Sequence, residues 1–167
     1  MSTVLSQVRE IVAIKLDGDE LERFMIQLGY VESVSDAIKG YGSMDTLVAM
    51  DIMKTSLGAA DVCKDLWGRV YILGQELYGT YKSEEAKAQL QRSSYSTHVQ
   101  QKVDAQRDSD CINARNSYIK METCASMLKM KYDILMATHY MCRSIVGKAE
   151  LNTSFLSEAD GSIMDNL

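Results

Sequence analysis

Apolar positions recur without a break along one stretch of the chain, from about Thr97 to Val146. They are Cys111, Ala114, Tyr118, Met121, Ala125, Leu128, Tyr132, Leu135, His139, Cys142 and Val146. The steps alternate between three and four residues, the a/d seam of a coiled coil, and only His139 departs from apolar or amphipathic character. The spacing predicts one helix of about 50 residues, about 75 Å long at 1.5 Å per residue. A second apolar line runs along its C-terminal half, through Met127, Met130, Ile134, Ala137, Met141 and Ile145. A helix apolar on two faces needs two neighbours. One is an antiparallel partner helix, and the other is either the N-terminal helices or a second subunit.

The segments before that stretch are also helical in pattern. Val4, Leu5, Val8, Ile11, Val12 and Leu16 share one face of a first helix. The run DGDE breaks it, and Asp19 can cap a helix ending at Leu28 with Gly29 as its stop. A short turn of helix over Val31–Lys39 ends at Gly40, and GYG at Gly40–Gly42 makes a turn. Ser43 then caps a helix carrying Met44, Leu47, Val48, Met50, Ile52 and Met53, which Gly58 ends or loosens. From about Ala59 to Arg92 a long helix has one seam at Cys63, Leu66, Val70, Leu73 and Leu77. A second stripe follows Trp67, Tyr71, Gly74, Tyr78 and Tyr81. Its later half reads as solvated, through Lys82, Glu84, Glu85, Lys87 and Gln91. Gly68, Gly74 and Gly79 each cost about 1 kcal/mol against Ala, which close helix approach would offset. RSSYSTH, Arg92–His98, is the predicted hairpin turn, and Thr97 with Gln100 fits a capping box. The alternative is one continuous helix through both arms. Gly147 is the predicted stop, followed by a tail with one weak amphipathic turn at Phe155, Leu156 and Ala159.

The chain therefore divides into an N-terminal helical cluster (1–57), a long helical hairpin (58–148) and an acidic tail (149–167). The fold class is all-α: a long antiparallel, coiled-coil-like hairpin with the helical cluster at its base. Composition agrees, because proline is absent from all 167 residues where about 5% is ordinary. Eleven methionines and nine tyrosines supply most of the bulk. Methionine fills gaps in cores and also adapts to partners.

The net charge of −5 is unevenly spread. Residues 1–65 carry 6 basic and 11 acidic side chains, residues 66–148 carry 12 and 8, and residues 149–167 carry 4 acids and no Lys or Arg. This separates a basic hairpin from acidic flanks. No apolar run is long enough to cross a membrane, and the start is too polar and interrupted for a signal peptide. Cys63, Cys111, Cys124 and Cys142 suit reduced, buried thiols in a cytosolic setting.

Candidate chemistry is sparse. His139 and Cys142 share a helix face, but no third ligand stands at a fixed spacing, Cys63 approaching only in one hairpin register. DGDE lacks the spacing of a calcium loop. Glu84 and Glu85 read as exposed, with nothing apolar around them to raise a pKa. GYGSMDT lacks the ending of a phosphate loop. No catalytic set, metal site or cofactor site is legible, and the expectation is a protein that is not an enzyme. The hairpin does interleave cations with tyrosines, which suits a single nucleic-acid strand. Its candidate contacts are Lys82, Lys87, Arg92, Lys102, Arg107, Arg115 and Tyr95. Candidate oligomer or partner contacts are Met127, Met130, Ile134, Met141, Ile145, Trp67 and Tyr71.

From Gln101 onward the chain reads QKVDAQRDSDCINARNSYIKMETCASMLKMKYDILMATHYMCRSIV. With Lys102, Val103, Asp104, Asp110, Lys120, Glu122, Lys129, Lys131 and Arg143 in place, this resembles the second half of the bacteriophage recombination-mediator family. The arm Leu66–Arg92 is compatible in length and character, so the resemblance covers about half the chain. It implies a ring of subunits that binds single-stranded DNA and helps a recombinase displace the single-strand-binding protein, without hydrolysing nucleotide. The arm is less basic than the family pattern, and residues 1–56 have no counterpart in it. The expected protein is thus a homo-oligomeric single-strand-binding mediator in a host-cell cytoplasm. The alternatives are a structural or virion assembly protein, which ignores DNA, and a small regulatory binder of a host protein.

Overall fold

The computed structural model describes residues 3–40, 45–91 and 97–164, and the side chains of 5–40, 45–91 and 97–150. The described residues form five helices and no strand. They are α1 (Thr3–Val12), α2 (Gly18–Lys39), α3 (Thr46–Gln91), α4 (His98–Ala105) and α5 (Ser109–Met164). The all-α reading holds, and the long antiparallel hairpin is α3 against α5.

Register follows from contacts along the two arms. The His139 ring nitrogen Nδ1 lies 2.9 Å from the Met53 carbonyl oxygen, and the Cys63 thiol donates to the Leu128 carbonyl at 3.3 Å. The Trp67 and Tyr132 rings stack with centroids 6.4 Å apart, and those of Tyr78 and Tyr118 lie 5.1 Å apart. At the far end, Gln106 Nε2 donates to Glu85 Oε1 at 3.3 Å. From Met53 to Tyr78 on α3 the partners on α5 recede overall from His139 to Tyr118, as antiparallel pairing requires, with the long Trp67 and Tyr132 side chains meeting about a turn off that line. Every member of the predicted α5 seam is buried or half-buried.

The main core lies midway along the hairpin. Val8, Val12, Leu16, Phe24, Leu28 and Val31 from the N-terminal segment meet Cys63, Leu66 and Val70 of α3 and Met121, Cys124 and Leu128 of α5. A smaller core of Ala49, Ile52, Cys142 and Val146 closes the open end. The N-terminal helices thus lie across the middle of the hairpin and not at its base. The cause is that α3 begins a full segment earlier than the spacing predicts, at Thr46, with no break at Gly58. Ala59 and Ala60 beside Gly58 are fully buried, and that packing outweighs the propensity cost of one glycine.

Other predicted ends move for the same reason. Gly29 does not stop α2, because Leu28 and Val31 on either side of it are core residues. Gly147 does not stop α5, which continues to Met164. Gly40 does end α2, its amide donating back to the Ala37 carbonyl at 3.0 Å. The residue before α2 is Asp17 and not Asp19, and it makes no side-chain cap bond. Gly18 opens α2 with φ of +44°, a backbone that a side chain would strain. Asp45 caps α3 through its carboxylate, 2.8 Å from the Val48 amide. Ser43 and most of the GYG turn lie outside the described residues.

The long C-terminal arm is not one helix from Thr97. Thr97 caps α4, its hydroxyl accepting from the Gln100 amide at 3.4 Å. The Gln100 side chain turns to Asp104 at 3.2 Å and does not complete the box. After Ala105 the chain bends, and the Asp108 carboxylate accepts from the Asp110 amide at 3.0 Å to start α5. Gly74 is buried, where an added Cβ would lie 3.7 Å from Met121 Cγ. Gly68 and Gly79 face open space, so close approach explains neither.

Open space at a helical glycine makes a direct prediction. A Cβ at Gly29 or Gly79 meets nothing within 4 Å. Gly29→Ala and Gly79→Ala should each stabilise the fold by about 1 kcal/mol, with additive shifts in the denaturant midpoint. Unchanged or lowered midpoints would show that these positions are not regular helix interior.

Candidate nucleic-acid interface

The basic residues singled out on the hairpin divide into two groups. Lys82 and Lys87 are held by their own arm: Lys82 Nζ lies 2.8 Å from Glu85 Oε2, and Lys87 Nζ lies 2.7 Å from Glu84 Oε1. Lys82 also sits 5.6 Å and 4.9 Å from the ring centroids of Tyr78 and Tyr81. Lys102, Arg107 and Arg115 are exposed, and so is Lys120. Among the described residues none of these four takes an ion pair. Arg92 and Tyr95 lie outside the described residues.

The later half of α3 is not solvated on every face, as its pattern predicts. Tyr81, Glu85 and Ala88 are buried, continuing the α3 seam to the end of the hairpin. Glu85 is only 6% exposed. It accepts from Lys82, from the Tyr81 hydroxyl at 3.3 Å and from Gln106 at 3.3 Å. The Lys82 hydrogen bond holds its carboxyl below the ordinary value, against the opposing effect of burial. The Lys82 ammonium is raised in turn by that bond, and burial raises the Tyr81 hydroxyl. This is a fully satisfied structural knot at the turn and offers no idle acid for catalysis.

The candidate partner residues are mostly where a partner could reach them. Met127, Met130, Ile134 and Met141 are exposed, Met130 by 63%. Ile145 instead packs against the smaller core within its own chain. Trp67 is half-buried on Tyr132, and Tyr71 is 54% exposed.

His139, Cys142 and Cys63 do not form a set. His139 is bonded at Met53, while Cys63 is bonded several turns away at Leu128. Among the described residues no three His, Cys, Asp or Glu side chains gather as metal ligands would. All four cysteines are buried. Burial pushes the Cys63 and Cys124 thiols up to about 11, so neither is a ready nucleophile. Among the described residues no helix is long and apolar enough to cross a membrane.

The concave surface that the sequence does not reveal lies beside Trp67. An open groove of about 940 Å³ runs between α2 and α3, walled by Gln27, Trp67, Tyr71 and Ile72. A smaller cleft of about 200 Å³ continues from it between α3 and α5, sharing Trp67 and Tyr71 and adding Tyr118 and Glu122. The signal for it was the aromatic stripe on α3, but its α5 wall depends on hairpin register. Comparison with protein-family models, curated proteins and solved structures finds no match for this chain.

Proposed function

We propose that this is a non-enzymatic, self-associating helical protein that binds single-stranded DNA along its hairpin, as a recombination mediator that assists recombinase loading. The observation that carries this reading is the set of exposed cations Lys102, Arg107, Arg115 and Lys120 on the α4–α5 arm. The neighbouring carboxylates Glu84 and Glu85 are already neutralised by Lys87 and Lys82. Lys102, Arg107, Arg115 and Lys120 make no ion pair among the described residues and can meet phosphates, although Asp104, Asp108, Asp110 and Glu122 share their arm. Modest charge on one subunit becomes effective when several subunits engage one strand.

Fluorescence anisotropy with a labelled oligonucleotide tests the reading. Affinity should fall as salt rises, with a slope of about −0.7 per phosphate contacted. Replacing Lys102, Arg107 and Arg115 together by Ala should flatten that slope by about two. No binding even at low salt would remove the proposal.

A second reading has its own support. The exposed stripe Met127, Met130, Ile134 and Met141 suits a structural or virion assembly protein, or a binder of a host protein. It is favoured if light scattering shows a defined oligomer that is indifferent to the oligonucleotide.

A further inference from the structure

We infer that the cleft between Trp67, Tyr71 and Tyr118 is a nucleobase subsite, in which one base of a single strand stacks while its phosphates lie along the flanking cations. The inference rests on the single-strand-binding reading and gives it a location that the basic residues alone do not.

The two arms build the site together. On α3, Lys64, Trp67, Tyr71, Gln75, Tyr78 and Lys82 follow one another at helical spacing and share a face. On α5 the opposed face carries Lys129, Ser126, Glu122, Tyr118 and Arg115, in that order along the antiparallel direction. Each arm thus carries a Lys or Arg at both ends and aromatic or polar groups between; Lys64 and Arg115 take no ion pair among the described residues, while Lys82 and Lys129 are bonded to Glu85 and Asp133. From Lys64 to Lys82 the strip spans about 27 Å at 1.5 Å per residue.

Size and chemistry select the ligand. The cleft of about 200 Å³ is smaller than the roughly 300–1,000 Å³ of ordinary small-molecule sites, and suits one planar ring system. Its walls offer aromatic faces, and Gln75, Glu122 and Ser126 offer polar atoms at the rim. The Glu122 carboxylate beside Tyr118 raises its hydroxyl, and a carboxylate has lone pairs for an exocyclic amino group. Lys64 stands with Asp65 in the adjoining groove and Lys129 with Glu122 in the cleft, a balanced lining that suits an uncharged base. The acids near the strip are partly engaged, Asp133 by Lys129 at 2.9 Å and Glu85 by Lys82. Asp65 and Glu122 remain as local repulsion, and the stacked base, not the phosphate, sits nearest Glu122.

Trp67 is the chain's single tryptophan, so the intrinsic tryptophan signal comes from this cleft and the groove that shares Trp67 with it. The full-length protein is titrated at low salt with oligo(dC) and with an abasic oligomer of equal length. Oligo(dC) should bind and quench Trp67, and the abasic oligomer should bind more weakly without quenching. Tyr71→Ala, at an exposed position, should weaken oligo(dC) binding about five- to a hundredfold, the range spanned by stacking of one base. Tyr71→Phe should restore it, and neither variant should change the salt slope. If the wild type binds no oligomer, the single-strand reading fails and this subsite fails with it. If oligo(dC) binds without quenching Trp67, or Tyr71→Ala binds like wild type, the subsite alone is overturned.

Discussion

Phe24→Ala lowers the unfolding free energy by about 3–5 kcal/mol, the cost of emptying a buried aromatic site. Phe24 is 0% exposed and lies on the buried face of α2 with Leu28 and Val31, packed on α3 in the core that also takes in α5. Domains of this kind have about 5–15 kcal/mol in all, so the loss is a large share. Met25, Leu28, Val31 and the Glu32–Lys131 pair also hold α2, but Phe24 is the largest of its fully buried side chains. Arg69 reaches Glu20 at 3.2 Å and Arg9 pairs with Glu22, but all four side chains are substantially exposed. Exposed pairs contribute about 0–1 kcal/mol each. The Arg69 guanidinium, 6.0 Å from the Phe24 ring centroid, loses its aromatic face as well. Urea unfolding measures the effect, with Ile26→Ala on the outer face of the same helix as control. Ile26 is well exposed, and its truncation should stay within about 0.5 kcal/mol. Equal losses for the two variants would mean that α2 is not packed as described.

Glu85→Ala costs about 2 kcal/mol, because hydrogen bonds to a charged acceptor contribute roughly 1.5–3 kcal/mol and the Tyr81 hydroxyl is left without its acceptor. Lys82 is half-exposed and regains water, which limits the loss. The variant also changes the response to acid. Glu85 is held below its ordinary value near 4.5 by Lys82. Its contribution is therefore full above that value and is lost as pH falls through the lowered folded-state value. Wild type should lose stability in this window, and Glu85→Ala should lose measurably less. Denaturant midpoints across acidic pH read both effects. Parallel curves for the two proteins would show that Glu85 does not titrate in contact with Lys82.

Periodicity alone identified the α5 seam from Cys111 to Val146, the α3 seam from Cys63 to Leu77 and the buried face of α1. Facing depends only on spacing along a regular helix, which is local information. Helix ends were less legible. Gly29, Gly58 and Gly147 each looked like a stop, yet all three helices run through. A glycine costs about 1 kcal/mol, and burial of apolar neighbours such as Leu28, Ala59 and Val146 exceeds it. The bend at residues 106–108 was missed because the heptad seam begins only at Cys111 and nothing upstream marks a break. Glu85 read as solvated although Tyr81 and Lys82 lie one turn away, because what buries it is remote: Gln106 comes from the bend, and only the hairpin's closure brings it near.

What the sequence by itself determined is the class of the molecule and which face of each long helix is apolar. The tertiary structure decided which residues oppose one another across the hairpin. That register sets Tyr118 and Glu122 against Trp67 and Tyr71, buries Glu85 and brings Gln106 to it. The reason is that a seam of similar apolar residues fits its partner at several offsets of one heptad. Only specific contacts, such as Cys63 with the Leu128 carbonyl and His139 with the Met53 carbonyl at 2.9 Å, select among them.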